Sequence, residues 1–136
     1  MAATVLFVSV NKSFRPWMTV TQLEPWAERA WAISVAKAST CDRVIAVFDG
    51  WPVAAWRLRG AFPSPDETYL MNDGSTRPRT CLALGDPLPL LREYMEWEYP
   101  ALRRGVATAK WDDLTPLAAD HDHAFIDWKD QSSQVL

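Results

Sequence analysis

The chain has 136 residues and a formal net charge of −3, and 49% of its residues are hydrophobic. A chain of this length can bury about two thirds of the surface that its unfolded form exposes, so one domain can fold without disulfides or metals. No apolar run reaches the roughly 18 residues of a membrane span. The start lacks the basic segment of a signal peptide, and two cysteines without CxxC spacing are typical of a reducing compartment. We therefore expect a cytoplasmic globular protein without a cofactor.

The charge is unevenly distributed along the chain. Residues 1–109 carry a net charge of +1, whereas residues 110–136 carry −4. A duplex-DNA binder usually has a clear positive excess, because phosphate contacts supply most of its affinity. This balance argues against generic duplex binding. It also predicts one domain over 1–109 and a partly ordered acidic C-terminal extension over 110–136.

The first half of the chain predicts three strands. Residues 4–10 are a short β-branched and aromatic run, and residues 43–49 are an almost unbroken apolar run, typical of a central strand covered on both faces. The Asp-Gly pair at 49–50 predicts a tight turn, since both residues tolerate positive φ. Beyond it, residues 53–59 alternate, which predicts an antiparallel hairpin with Trp56 in the core.

Two or three helices and two further strands complete the expected fold. The first helix should begin with a capping box formed by Thr21 and Glu24, carry Pro25 in its first turn and bury Trp26 at least in part. A second should be capped by Ser34 and run to Ala38, and a third over 88–99 should follow an Asp86-Pro87 cap that ends a loop-rich middle with short strands at 68–71 and 79–84. The sum is an α+β fold, with a small, curled, mostly antiparallel sheet or barrel of about five strands.

Three segments carry a resemblance to a known family: FVSVNKSF at 7–14, RAWAIS at 29–34 and DRVIAVFDGWPVAAWRLRGAF at 42–62. Their order resembles the PUA-like superfamily, especially its EVE and YTH branches, over about residues 4–62. In that superfamily a short barrel holds one extruded, often modified, base in a pocket. The polar turn after the first strand and the tryptophan after the first helix form part of this pocket. The chain departs from the family pattern in charge, because readers of this class usually have a more basic rim.

The resemblance implies ligand contacts from Asn11, Lys12, Ser13 and Trp31. A second aromatic ring is expected from a later loop, and Trp51 is the nearest candidate. The chain has eight tryptophans in all. Trp17 and Trp51 lie in turns or polar stretches, where a ligand site, an interface and a lid over the barrel are open alternatives.

The basic residues include two i, i+2 pairs, Arg57 with Arg59 and Arg77 with Arg79. Each pair projects from one face of an extended segment, so neighbouring segments would combine four guanidiniums into a phosphate-binding patch. The alternative is a solvated strand face whose arginines pair with nearby acidic residues, namely Asp66, Glu67 and Asp73.

Motifs for catalysis and metal binding are sparse. The sequence DHDH at 120–123 holds both histidines but lacks an evident third strong ligand, so we expect no metal site. No nucleophile, phosphate-loop or dinucleotide motif is present, and we expect a binding protein rather than an enzyme.

Two functions fit these observations. The first is a cytosolic module that holds a nucleotide, or an extruded and sometimes modified base of a single-stranded nucleic acid, in a tryptophan-lined pocket. The alternative is a phage-encoded protein that binds a host bacterial protein and inhibits or redirects it; ten arginines against four lysines suggest a GC-rich bacterial or phage genome. Self-association into a homo-oligomer is a further alternative.

Overall fold

The computed structural model describes residues 4–90, 97–99, 102 and 105–116. In chain order these residues form β1 (Thr4–Ser9), α1 (Val20–Glu28), α2 (Val35–Ala38), β2 (Arg43–Phe48), β3 (Trp51–Leu70), β4 (Thr76–Leu88), β5 (Trp97–Glu98), β6 (Val106–Lys110), a 3-10 helix (Trp111–Asp113) and β7 (Thr115–Pro116). Five strands form one sheet in the order β4-β3-β2-β1-β6, while β5 pairs with β7. Only β1 and β2 are parallel within the described sheets. The expected small, mostly antiparallel sheet is confirmed in outline, and within the described residues it is not closed into a barrel.

The hydrophobic core is built on β1 and β2. Residues 5–8 and 44–46 are completely buried, which confirms the prediction of a central strand covered on both faces. Trp56 of β3 is also fully buried, as expected, and its indole N–H donates a hydrogen bond to Glu24 Oε1 at 3.2 Å. Because a buried indole needs a polar partner, this bond ties helix α1 to the sheet.

Helix α1 begins two residues earlier than predicted. Its capping box joins Thr19 and Gln22: Thr19 Oγ1 accepts from the N–H of Gln22 at 3.2 Å, and Gln22 Oε1 accepts from the N–H of Thr19 at 3.0 Å. Pro25 therefore lies inside the helix rather than in its first turn. The earlier start buries Val20, Leu23 and Ala27, whose spacing forms one apolar stripe.

Two further helix predictions have different outcomes. Trp26 was expected to be core or partly buried, but it lies outside the buried stripe of α1 and is 52% exposed. The short helix α2 has the predicted cap, because Ser34 Oγ accepts from the N–H of Lys37 at 3.1 Å.

The region after β2 is one long hairpin rather than a loop with short strands. Strand β3 continues to Leu70 and β4 extends to Leu88, so the Asp86-Pro87 pair lies within a strand and does not cap a helix. Residues 97–98 form β5, and the rest of the predicted helix, 91–96, lies outside the described residues. Prolines are tolerated here because β4 is an edge strand, and the pairing of β3 with β4 is interrupted between Pro63 and Thr68.

Described elements lie on both sides of residue 109, where the sequence predicts the boundary between the domain and the acidic extension. Strand β6 ends at Lys110, and Leu114 after the 3-10 helix is buried. None of the described helices has the length and apolar character needed to cross a membrane. The described residues also contain no group of three His, Cys, Asp or Glu side chains placed to hold a metal ion, and residues 117–136, including His121 and His123, lie outside them.

Candidate functional site

Two turns meet where the parallel strands β1 and β2 end. The turn at residues 11–13 follows β1, and the turn at 49–50 follows β2. Asn11 Oδ1 accepts a hydrogen bond of 2.7 Å from the backbone N–H of Asp49, which joins the two turns. Asp49 and Gly50 both have positive φ, 48° and 84°, as the predicted Asp-Gly turn requires. Asn11 therefore anchors this end of the sheet through its side-chain oxygen.

Trp31 follows helix α1 in an extended segment and is held by hydrogen bonds of both its backbone and its indole. Its backbone exchanges a pair of bonds with Thr80 of β4, each of 2.9 Å. Its indole N–H donates to the carbonyl of Ala27 at 2.8 Å. The side chain packs against the core but remains partly exposed. The ring is thus fixed in one orientation, and its N–H already has a partner.

Gly105 brings Trp31 next to the end of β1. A Cβ placed on Gly105 would lie 3.3 Å from Cζ3 of the Trp31 ring, so the ring rests against the glycine backbone. The carbonyl of Gly105 accepts from the N–H of Ser9 at 2.7 Å, two residues before Asn11. The segment around Trp31 therefore contacts β4 and the residue that precedes β6. Because β4 and β6 are the two edge strands of the sheet, the sheet must curl for one segment to contact both.

Trp51 directly follows the turn at 49–50. It is the first residue of β3 and pairs with Phe48, whose ring packs on Phe14 with centroids 5.1 Å apart. Trp51 is partly buried and packs against the core. We call the group formed by Asn11, Lys12, Ser13, Trp31 and Trp51 the aromatic edge.

The remaining predicted ligand residues differ in exposure. Lys12 is exposed and Ser13 is partly buried, both in the turn after β1. Trp17 is 69% exposed in the segment between β1 and α1. Trp31 pairs with Thr80 of β4, whereas Trp51 is the first residue of β3.

The four arginines predicted to bind phosphate lie in two places on the β3–β4 hairpin. Arg77 pairs with Tyr69, whereas Arg57 and Arg59 lie about 20–30 Å away along the ladder. The guanidinium of Arg79 donates to the carbonyls of Thr68 and Ala30, at 3.2 and 3.3 Å, and so connects the hairpin to the segment before Trp31.

Arg57 and Arg59 are accompanied by a third arginine that the sequence did not indicate. Arg43, the first residue of β2, is the direct register partner of Arg57. A Cβ on Gly85 of β4 would lie 3.3 Å from Arg57 Cβ and 3.1 Å from Arg59 Cγ, so both side chains lie over this glycine. We call Arg43, Arg57 and Arg59 the arginine edge. It lies at the opposite end of β2 from the aromatic edge.

The acidic residues considered as partners of these arginines have other contacts. Arg29 forms ion pairs with Glu67 at 2.8 Å and with Asp66 at 3.2 Å. The hydrogen bond with Glu67, followed by the charge of Asp66, raises the pKa of the Arg29 guanidinium. Asp73 instead accepts hydrogen bonds from the backbone N–H and the hydroxyl of Ser75.

Comparison of the chain with protein-family models, with curated proteins and with solved structures finds no match. The functional interpretation therefore depends on the geometry of the aromatic edge and the arginine edge.

Proposed function

We propose that this protein is a non-enzymatic binding module that holds a nucleotide, or a base extruded from a single-stranded nucleic acid, against Trp31. The observation that carries the proposal is the fixed, partly exposed Trp31 ring, which rests against Gly105, whose carbonyl bonds to Ser9 just before the polar turn at 11–13. A PUA-like fold closed into a barrel is part of the same proposal.

The energetics of base binding favour a ring that is already held in place. A base that leaves its stack loses a few kcal/mol, and stacking on an aromatic side chain returns about 1–3 kcal/mol. Trp31 is already fixed by its bond to Ala27 and by its backbone pair with Thr80, so little conformational freedom remains to be lost on binding. A methylated or positively polarised base would gain further from cation–π attraction to the indole.

The polar turn that follows Ser9 supplies groups for reading a base edge. Asn11 uses its oxygen on the Asp49 N–H, so its amide NH₂ is the group it would offer to a ligand. Lys12 is exposed in the same turn and would contact a phosphate or a base carbonyl.

The test is a titration of the full chain with labelled single-stranded RNA, modified and unmodified single-stranded DNA, and free nucleotides at low salt. We expect Trp31→Ala to weaken binding by roughly 5- to 150-fold, the loss of one stacking contact. Trp31→Phe keeps an aromatic ring but loses the bond to Ala27, and it should retain most of the affinity.

The matched control is Trp26→Ala, which removes an exposed indole from helix α1. Lys12→Ala is a second probe, because its exposed side chain can be truncated without disturbing the fold. Equal affinities for the wild type, Trp31→Ala and Lys12→Ala, or no binding of any of these ligands by the wild type, would refute the proposal.

A second candidate function is binding to a host protein, which two exposed tryptophans favour. Trp17 and Trp26 are 69% and 52% exposed, and exposed tryptophans are enriched in binding hot spots. A stoichiometric partner from a bacterial lysate that survives nuclease treatment and is lost with Trp17→Ala or Trp26→Ala would support this function over the first.

A further inference from the structure

The peptide group between Ala30 and Trp31 is held at both of its ends by two successive residues of β4. The carbonyl of Ala30 accepts a hydrogen bond of 3.3 Å from Nη1 of Arg79. The N–H of Trp31 donates to the carbonyl of Thr80 at 2.9 Å. Because a peptide group is planar, these two bonds fix the orientation of the whole group. Residues 79 and 80 therefore set the direction of the backbone from which the Trp31 ring projects.

The guanidinium of Arg79 also reaches the other strand of the hairpin. Its Nε donates to the carbonyl of Thr68 at 3.2 Å, and Thr68 lies where the pairing of β3 with β4 resumes after its interruption. One planar guanidinium thus joins β3, β4 and the segment that carries Trp31. A lysine has all its donors on one atom at the end of a flexible chain, so it cannot reproduce this bridge.

Arg29, just before this segment, has its own attachment to the hairpin, but that attachment lies at the surface. Its ion pairs with Asp66 and Glu67 leave 50% of the Arg29 side chain exposed, and water screens such pairs. Arg79, by contrast, donates to the segment through a partly buried bond, and hydrogen bonds from charged donors are stronger away from water. The position of Trp31 on the hairpin should therefore depend more on Arg79 than on Arg29.

We infer that Arg79 is a positioning residue for ligand binding, which holds the Trp31 ring in the orientation on which a base stacks. It acts through the ring rather than through contact with the ligand, and the inference rests on the proposed function for that ligand. The sequence-based prediction that Arg79 binds phosphate has a different consequence. Arg79→Lys keeps a positive charge for a phosphate, but it does not keep the bridge between two carbonyls.

The first test follows the Trp31 ring in the protein alone. The eight tryptophans are replaced with 6-fluorotryptophan, and the fluorine NMR signal of Trp31 is identified by its loss in Trp31→Phe. This label leaves Cζ3, the ring atom nearest to a Cβ on Gly105, unmodified. We expect Arg79→Lys and Arg79→Gln to shift or broaden the Trp31 signal. The matched control is Arg77→Lys, at an exposed arginine two residues earlier in β4, which should leave the signal unchanged.

The second test measures binding of a short, fluorescein-labelled single-stranded oligonucleotide by anisotropy at several NaCl concentrations. We expect Arg79→Lys to weaken binding by roughly 2- to 30-fold at every concentration, the range for substitutions that act on a site without touching its ligand. Arg77→Lys keeps its charge and should stay within about twofold of the wild type. An Arg79→Lys affinity close to that of the wild type, with a plot of log K against log salt about 0.7 shallower for Arg79→Gln, would show a phosphate contact and overturn the inference.

The two tests separate this inference from the proposed function. An unchanged Trp31 signal in both Arg79 variants, or a change of all the tryptophan signals together, would overturn the positioning role, while binding of the oligonucleotide by the wild type would leave the proposed function standing. A shifted Trp31 signal without binding of the oligonucleotide or of free nucleotides by the wild type would refute the proposed function and, with it, the role of Arg79 in ligand binding. A shifted signal, weaker binding by Arg79→Lys and an unchanged salt dependence would support both.

Discussion

The two ends of β2 use polar side chains in opposite ways. At the aromatic edge, Asn11 and the indole N–H of Trp31 each bond to the protein backbone, and both bonds hold parts of the fold together. At the arginine edge, Arg43 and Arg57 face each other and so work against the stability of the sheet.

The two groups therefore differ in what their polar side chains contribute to the folded protein. The aromatic edge is rigid before any ligand arrives, and its polar groups contribute to folding. The arginine edge brings two like charges together on paired residues of β2 and β3, and such charges repel each other. Substitutions that remove the Asn11 bond or displace Trp31 should therefore lower the free energy of unfolding, and substitution of Arg57 should raise it.

The largest effect is expected at Gly105, which supports the Trp31 ring. Gly105→Ala adds a Cβ 3.3 Å from the ring and places it at a φ of +79°. Left-handed strain alone costs roughly 1–2 kcal/mol, and displacement of Trp31 should add to this cost. The free energy of unfolding is measured in urea.

Gly74→Ala is the control for this substitution, because Gly74 has a φ of +87° and nothing within 4 Å of the added Cβ. Gly74→Ala should show the cost of the positive φ without the cost of a contact with an aromatic ring. Equal losses of stability for the two variants would mean that Trp31 does not depend on Gly105 for its position.

A smaller loss is expected at Asn11. Asn11→Ala removes the acceptor for the Asp49 N–H, and a hydrogen bond of this kind contributes about 1 kcal/mol. Lys12→Ala, at the next residue, should leave the free energy of unfolding unchanged in the same urea titration. A cost at Lys12 as large as that at Asn11 would show that the turn is not anchored by the Asn11 side chain.

The opposite sign is expected at the arginine edge. Arg57→Gln should raise the free energy of unfolding by roughly 0.2–1 kcal/mol at low ionic strength, since it removes a cross-strand repulsion. The gain should shrink as salt is added. Arg77→Gln, whose register partner is Tyr69, should change stability little. A loss of stability with Arg57→Gln at low salt would contradict the contrast between the two edges.

The smallest effect on stability is expected at Asp73, at the tip of the hairpin, whose carboxylate bonds to Ser75 within the same turn. Hydrogen bonds from the Ser75 side chain and backbone lower the pKa of the Asp73 carboxyl. Because the folded-state pKa lies below the unfolded one, which is about 3.9, the contribution to stability is present above that pH and is lost as the pH falls towards the folded value. The melting-temperature difference between the wild type and Asp73→Asn should therefore narrow below about pH 4. A difference that stays constant from neutral to acidic pH would exclude this role.

Local signals in the sequence predicted part of the fold. The apolar run at 43–49, the Asp-Gly turn, the Ser34 cap and the buried Trp56 depend on neighbouring residues, and the structure confirms each of them. The capping box was misplaced because two overlapping pairs, at 19 and 22 and at 21 and 24, have the same spacing. Burial of Val20, Leu23 and Ala27 decides between them.

The sequence by itself thus determined the central strands, the turn that joins β2 to β3 and the core position of Trp56, because side-chain periodicity and turn chemistry act over a few residues. Only the tertiary structure decided which distant groups meet. A tight two-residue turn with regular pairing would set Arg43 opposite Trp56, but the register shifts between Ala46 and Val47 and sets it opposite Arg57. A one-residue slip exchanges the two faces of a strand, and no local pattern marks it. Likewise, the contact of Trp31 with Gly105 joins residues far apart in the chain, and it forms only when the sheet curls.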